Sequence, residues 1–391
     1  MNPNFVNRRK FIKLSVAAGA SIAANYAGVQ AAENVGRKTV AMPERILGRT
    51  NIKLPILSMG VMRADNQAIV RAAYHSGIFM FDTANGYQNG KNEEMLGEFF
   101  TGKKRESFML ATKVKESVGD DAASKFLEKF EISMKRLKTD HVEILYYHAL
   151  SRPEEVNFSP VVEAMVKLKE AGRAKYLGVS THSNEPGVIN AAIDNGNYDV
   201  VLTSYNFTQS HRGELDKALE RAVNAGLGTV AMKTMAGGYL DREHTRKVNA
   251  KAALKWAWQN PHIHTAIPGF TSFDELEECL EAAAHPELSE EEREFIASTS
   301  CQHGLYCQGC KSCIAQCPEK LPIPDIMRAY MYNYGYNSPM LAKSTLLELN
   351  LADHPCRKCA SCKVTCTNGF QIAEKISDIT RLQYIPKDFL V

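Results

Sequence analysis

The chain has 391 residues, 45% of them hydrophobic, and 47 lysines and arginines against 44 aspartates and glutamates give a formal charge of only +3. With no basic run beyond the N-terminal segment, that balance excludes a nucleic-acid surface. The length excludes a disulfide-stapled mini-domain and leaves room for one large domain and one small one.

The chain opens on Asn7-Arg8-Arg9-Lys10-Phe11-Ile12-Lys13, then a mildly apolar stretch from Leu14 to Ala27, and reaches small residues at Val29-Gln30-Ala31-Ala32. A charged start, a short apolar middle and an A-x-A-like end describe a cleaved leader. Adjacent arginines before an aromatic make it resemble a twin-arginine signal. Residues 1–32 are therefore expected to be an export address, with the Tat translocon as partner and the periplasm as destination. The apolar stretch falls short of the roughly 20 residues a transmembrane helix needs, so no stable span is expected.

From Asn51 to about His285, short apolar runs alternate with helix-period stretches. The expected strands are Ile56–Met59, Phe79–Phe81, Phe108–Thr112, Glu143–Tyr147, Tyr176–Val179, Val200–Thr203, Thr229–Met232 and His264–Ile267. Between them the helical pattern covers Asn66–His75, Lys91–Phe100, Ala122–Leu137, Pro160–Ala171, Pro186–Asn195, Arg212–Asn224 and Arg246–Gln259. Eight strand–helix repeats over roughly 250 residues predict an α/β fold, a (β/α)8 TIM barrel. No G-x-G-x-x-G follows the first strand, which argues against a Rossmann fold. Ahead of the barrel, Glu44–Ile56 reads as a hairpin able to plug its floor.

In such a barrel, chemistry belongs where strands end. The second expected strand runs out at Asp82-Thr83-Ala84 with Tyr87 in the following loop, the third at Ala111-Thr112-Lys113, and the fourth at Tyr146-Tyr147-His148. A tyrosine with pKa about 10 is a weak acid at neutral pH, and a lysine ammonium held by an aspartate is expected to lower that value. A histidine orients the substrate oxygen. Together they suit carbonyl–alcohol interconversion beside a hydride carrier.

These motifs, with Gly172-Arg173-Ala174, Gly178-Val179-Ser180 and Ile267-Pro268-Gly269, resemble the aldo-keto reductase superfamily from about Arg45 to Ala284. The resemblance implies Tyr87 as general acid/base, Lys113 and Asp82 as its tuners, and His148 as substrate orienter. It also implies a nicotinamide cofactor, with contacts from Ser180, Pro268, Gly269, Thr271 and Ser272. The family's phosphate-binding cations are replaced here by Gly269 and Glu275, and its nicotinamide-stacking tyrosine by Met232. A carboxylate at the phosphate position tilts the expected cofactor, NAD(P)(H), toward NAD.

The C-terminal region carries two runs of one spacing, C-x2-C-x2-C-x3-C: Cys307, Cys310, Cys313, Cys317 and Cys356, Cys359, Cys362, Cys366. The spacing is that of two-cluster bacterial ferredoxins, in which the fourth cysteine of each run ligates the other cluster. Zinc and disulfides are the weaker readings. Two [4Fe-4S] clusters are thus expected on these eight thiols. Helical stretches at Pro324–Tyr334 and Ser338–Leu349 between the runs make the segment similar to an α-helical ferredoxin, and it resembles the tail of a bacterial branch of the superfamily. Cys279 reads as a core thiol, and Cys301 as a bystander near the first run. The Tyr-rich stretch Tyr330–Tyr336 is expected to pack around the clusters, with a cover over the barrel mouth as the other option.

The expected organisation is a leader at 1–32, a barrel at 33–296 and a two-cluster domain at 297–391. The expected function is an exported oxidoreductase acting on a small carbonyl or alcohol. Electrons would pass through the clusters to a redox partner protein or a quinone-linked donor or acceptor. Two other readings stay open: a redox-binding module without turnover, and a lyase or isomerase with an internal redox cycle on tightly bound nicotinamide.

Overall fold

The structure, a computed structural model, describes residues 40–390 except 242, 301–303 and 360, and of Ser300 the backbone only. The expected leader at 1–32 and Cys301 lie outside the described residues. From Val40 onward the chain forms one compact unit.

Glu44–Ile46 (β1) and Lys53–Pro55 (β2) pair antiparallel. Leu47 and Leu54 project from this hairpin into a cluster with Met80, Met109, Ile144, Val200 and Val230, closing one end of the sheet's interior as expected. Gly48 sits at φ +52, with no room for a Cβ against the backbone of Leu227 and Gly228. Only glycine meets both constraints.

Eight parallel strands follow: β3 (Met59–Gly60), β4 (Met80–Asp82), β5 (Met109–Val114), β6 (Val142–Leu150), β7 (Ala174–Thr181), β8 (Val200–Ser204), β9 (Gly228–Met232) and β10 (Thr265–Ala266). They lie in one sheet in consecutive order. A parallel bridge between Leu57 and Ala266 joins the first edge to the last, with Ser58 N–H donating to Ala266 O at 2.9 Å and Gly60 N–H to Pro268 O at 3.0 Å. The arrangement is consistent with a (β/α)8 barrel. Each expected strand overlaps an observed one. Near the closing seam the pairing is irregular, so Ile56–Met59 shifts to Met59–Gly60 and His264–Ile267 shrinks to Thr265–Ala266.

The crossover helices are α1 (Gln67–His75), α2 (Lys91–Phe100), α3 (Ala122–Leu137), α4 (Pro153–Val156), α5 (Ser159–Glu170), α6 (Glu185–Asn195), α7 (Arg212–Asn224) and α8 (Ala250–Gln259). The helix α3 shows why the periodicity was readable. Phe126, Phe130, Met134 and Leu137 recur at helical spacing and are buried, and Lys138 ends the helix in the left-handed region. Strand β5, covered on both faces, is buried at every position. Phe273–Ala284 (α9) and Glu290–Ser300 (α10) finish this part, with Cys279 buried on α9 as expected.

The C-terminal segment contributes α11 (Ile323–Tyr334), α12 (Pro339–Glu348) and α13 (Ile372–Thr380), around a second core of Ile323, Ile326, Met327, Leu346, Ile376 and Ile379. It docks on the ends of the strands. Asn206 Nδ2 donates to Gln308 Oε1 at 2.9 Å, Asn184 N–H to Gly309 O at 3.2 Å, and Lys115 pairs with Glu348 at 3.0 Å. Gly309, at φ +76, presses on the backbone of His182 and Ser183, where a side chain would collide. None of the described helices is long and apolar enough to cross a membrane.

Candidate active site

Asp82 ends β4 and Lys113 lies near the end of β5, on neighbouring parallel strands whose register pairs Asp82 with Ala111. Lys113 Nζ donates to Asp82 Oδ1 and, at 2.6 Å, to Thr83 O. Both side chains are essentially sealed from solvent, at 1% and 2% exposure. Burial pushes the Asp82 carboxyl up and the Lys113 ammonium down, each pulled back by the other. Asp82 Oδ2 is buried without a hydrogen-bond partner. Behind the pair, Thr83 Oγ1 donates to Asn92 Oδ1 at 2.7 Å, and Asn92 Nδ2 donates to Val61 O at 2.6 Å, fixing the strand ends.

Tyr87 begins a tight turn in which Gln88, Asn89 and Gly90 all have positive φ. That costly backbone is held by Gln88 Nε2, which donates to Met62 O and Ala64 O at 3.1 Å each. The turn brings the Tyr87 ring to 5.0 Å from Lys113 Nζ and, edge-on, to 5.9 Å from the His148 ring. His148 is aimed by a bulge: the register of β6 against β7 slips between Tyr147 and Leu150, and Ala149 takes φ +57. Ala149 N–H donates to Ser180 Oγ at 2.8 Å, holding the bulge in place.

Thus Tyr87, Lys113, Asp82 and His148, read from three loops of the sequence, lie together at one mouth. The electrostatics differ from expectation in one respect. Burial raises the Tyr87 phenol above its ordinary value, and Asp82 adds to the rise, offset in part by Arg328. Lys113 Nζ, 5.0 Å from the Tyr87 ring, donates to Asp82 and Thr83 O. Burial, then the neighbouring cations beginning with Lys113, keep His148 well below the usual histidine range and so neutral.

A cavity of about 540 Å³ runs from Asp82 and Tyr87 past Met232 and Lys233 to Pro268, Gly269 and Glu275. A second, of about 200 Å³, lies on the other side of Tyr87 against His148, Lys115 and Arg328. Of the five expected nucleotide contacts, Pro268 and Gly269 line the large cavity. Ser180 is fully buried, its hydroxyl engaged by Ala149. Thr271 spends its N–H and hydroxyl on Glu275 Oε2 at 2.7 and 2.9 Å, and Ser272 caps α9 by accepting from Glu275 N–H at 3.2 Å. The hydroxyls expected to greet a cofactor are thus occupied by Glu275, whose carboxylate takes the anion-binding place at the start of α9.

Sequence reading missed His182 and Arg328. His182, two residues beyond Ser180, stands 6.3 Å from His148 ring to ring; the strand-end rule applied to β7 would have found it. Arg328 arrives from α11, and nothing in the spacing pointed to it. Tyr332 and Tyr336 line the large cavity beside Tyr87, while Met331 and Tyr332 also belong to the C-terminal core. The Tyr-rich stretch therefore covers the mouth as well as packing inward.

None of the eight cysteines of the two runs is joined in a disulfide. Burial pushes the Cys307 thiol up to about 12, with Cys313, Cys310 and Cys366 pushing the same way. Burial likewise raises Cys356, helped by Cys362, Cys317 and Cys359. Among the described residues, no three His, Cys, Asp or Glu side chains converge as the ligands of a single metal ion.

Residues 53–252 match the family model described as "Aldo/keto reductase family". Among similar proteins, the uncharacterized oxidoreductase YrpG of Bacillus subtilis is 31% identical over 219 residues, covering 50% of this chain and 67% of that protein. The L-galactose dehydrogenase of Arabidopsis thaliana is 25% identical, covering 62% of this chain and 88% of its own. A solved structure of a putative aldo-keto reductase from Pseudomonas aeruginosa superposes with a TM-score of 0.54 at 25% identity, over 64% of this chain and 97% of that one.

Proposed function

Because this chain belongs to the aldo/keto reductase family and is an oxidoreductase acting on carbonyl or alcohol groups, we propose that Tyr87 is its acid and base, with Lys113, Asp82 and His148 in support. The observation that carries this is the meeting of Tyr87, the Lys113–Asp82 pair and His148 at one mouth between two cavities.

In the reducing direction the Tyr87 hydroxyl donates its proton to the oxygen of the former carbonyl; in the oxidising direction the phenolate takes it back. The Lys113 ammonium, held by Asp82, stabilises the phenolate as it forms. Neutral His148, beside the same oxygen, donates a hydrogen bond that orients it. A nicotinamide dinucleotide, when bound along the large cavity against Met232, Pro268 and Gly269, supplies or accepts the hydride. Glu275 favours NAD over NADP there.

The same reading takes the C-terminal segment as a two-cluster electron port and residues 1–32 as a twin-arginine export signal to the periplasm, where a protein or quinone-linked redox partner would meet it. Its support is the repeated cysteine spacing and the pairing of neighbours, Cys366 beside the first run and Cys317 beside the second. A four-iron cluster spreads its thiolates more widely than a single ion does, so the lack of a single-ion ligand set does not oppose it.

Tyr87→Phe tests the site. Carbonyl turnover should fall roughly 10²–10⁴-fold with dinucleotide binding retained; full activity in the variant would refute the assignment. Anaerobically purified protein should release NAD on denaturation and carry iron and sulfide, and protein without iron would refute the electron port.

A further inference from the structure

Lys233 follows β9 at the barrel mouth with φ +57, a costly backbone for a lysine. Its ammonium has no hydrogen bond or ion pair with any described residue, and rests instead 5.1 Å from the centre of the Tyr332 ring. Arg328, on the same helix as Tyr332 and one turn earlier, is 8% exposed, and among the described residues its hydrogen bond runs to Asp325 Oδ1 at 2.7 Å. Lys233, Arg328 and His182 border one narrow cavity of about 20 Å³. Lys233 also lines the large cavity and Arg328 the second one, and Tyr87 lines both of those.

The acidic groups nearby are already committed. Asp325 is held by Arg328, and Glu185 accepts from Ser204, Gln209 and His211. No carboxylate is therefore left to pair with Lys233 in this largely desolvated place, which Cys307 also borders, and an unpaired cation there costs stability unless an anion arrives.

We infer that the substrate of this site carries a carboxylate, seated between Lys233 and Arg328 while its carbonyl or hydroxyl carbon faces Tyr87. This deepens the carbonyl–alcohol reading above and rests on it for the reacting end of the molecule. The substrate class is then a short acid aldehyde, oxo acid or hydroxy acid. Its charged end is recognised by the barrel and the C-terminal segment jointly, with Arg328 contributed by the latter. The other source of an anion here is the pyrophosphate of a bound dinucleotide, and the test separates the two.

Succinate semialdehyde and butanal form a matched pair of probes, with and without the carboxylate, and succinate reports binding without turnover. The native protein should prefer succinate semialdehyde at least tenfold in kcat/KM and bind succinate by calorimetry. Lys233→Met and Arg328→Gln should each cut that preference about tenfold and weaken succinate binding, and Lys233→Arg should restore both. Loss of NAD affinity in these variants with the preference intact would assign the anion to the cofactor and overturn the inference. So would a native protein that neither binds succinate nor discriminates between the aldehydes. Tyr87→Phe should cut turnover roughly 10²–10⁴-fold yet still bind succinate, so failure of the tyrosine assignment and failure of the carboxylate clamp give different results.

Discussion

Replacing Lys113 by methionine would leave the Asp82 carboxylate with no cation in a site that is 2% exposed. Asp82 Oδ2 already lacks a partner, so Lys113 supplies all the compensation its side chain receives. Breaking a buried pair from one side costs about 3–5 kcal/mol, and Thr83 O loses a donor worth about 1 kcal/mol more. The double variant Asp82→Asn/Lys113→Met removes the orphaned charge and should recover most of the loss, ending within about 2 kcal/mol of the native protein. The assay is the shift of the urea midpoint for the two single variants and the double. In Lys113→Met the folded-state pKa of Asp82, already raised by burial, rises further above its unfolded value of about 3.9. The folded state then binds the extra proton, so the variant is least disadvantaged below about pH 4 and loses stability as pH climbs through the raised pKa. Additive single and double effects, or a loss that does not shrink at low pH, would refute the reasoning.

Glu275→Arg should free the Thr271 N–H and hydroxyl and place a cation at the start of α9, moving the NADP-to-NAD ratio of dissociation constants at least tenfold toward NADP by calorimetry. His264 accepts from Thr229 N–H at 3.0 Å through Nδ1, and burial lowers its pKa to about 4. Stability should therefore fall by up to about 3 kcal/mol as pH drops from about 6.5 to about 4, and His264→Gln should flatten that slope in thermal melts. Gly48→Ala, forced to φ +52 against the Leu227–Gly228 backbone, should lower the melting temperature by several degrees, reflecting a loss above about 1 kcal/mol, with β-hairpin and barrel floor loosening together.

The barrel was legible because its residues are locally consistent. Continuous apolar runs such as Phe108–Ala111 and four-residue repeats such as Phe126, Phe130 and Met134 each admit one reading. Asp82, Lys113 and His148 followed from strand ends, and Tyr87 from the loop after the first of them. What stayed hidden depends on contacts made far along the chain. Arg328 is an unremarkable helical arginine until α11 docks over the mouth. Thr271 looks like a free donor until the Glu275 carboxylate, four residues on, folds back onto it, and Ser272 until its hydroxyl accepts from the Glu275 N–H. The short helix Ile372–Thr380 carried its signal in Ile372, Ile376 and Ile379, but the adjacent cysteine run and Gly369 masked it. Lys233 directly follows the expected strand Thr229–Met232, but only Tyr332 and Arg328 reveal how isolated it is.

The placement of α11 also sets an order of construction. During synthesis every strand of the barrel leaves the ribosome before Ile323 does, so the barrel can finish as an open bowl while its roof is still unmade. Arg328, Tyr332 and Tyr336 turn that bowl into a chamber only at the end. A chain cut short before α11 would keep Tyr87, Lys113, Asp82 and His148 and lose the walls that give them a defined space to work in.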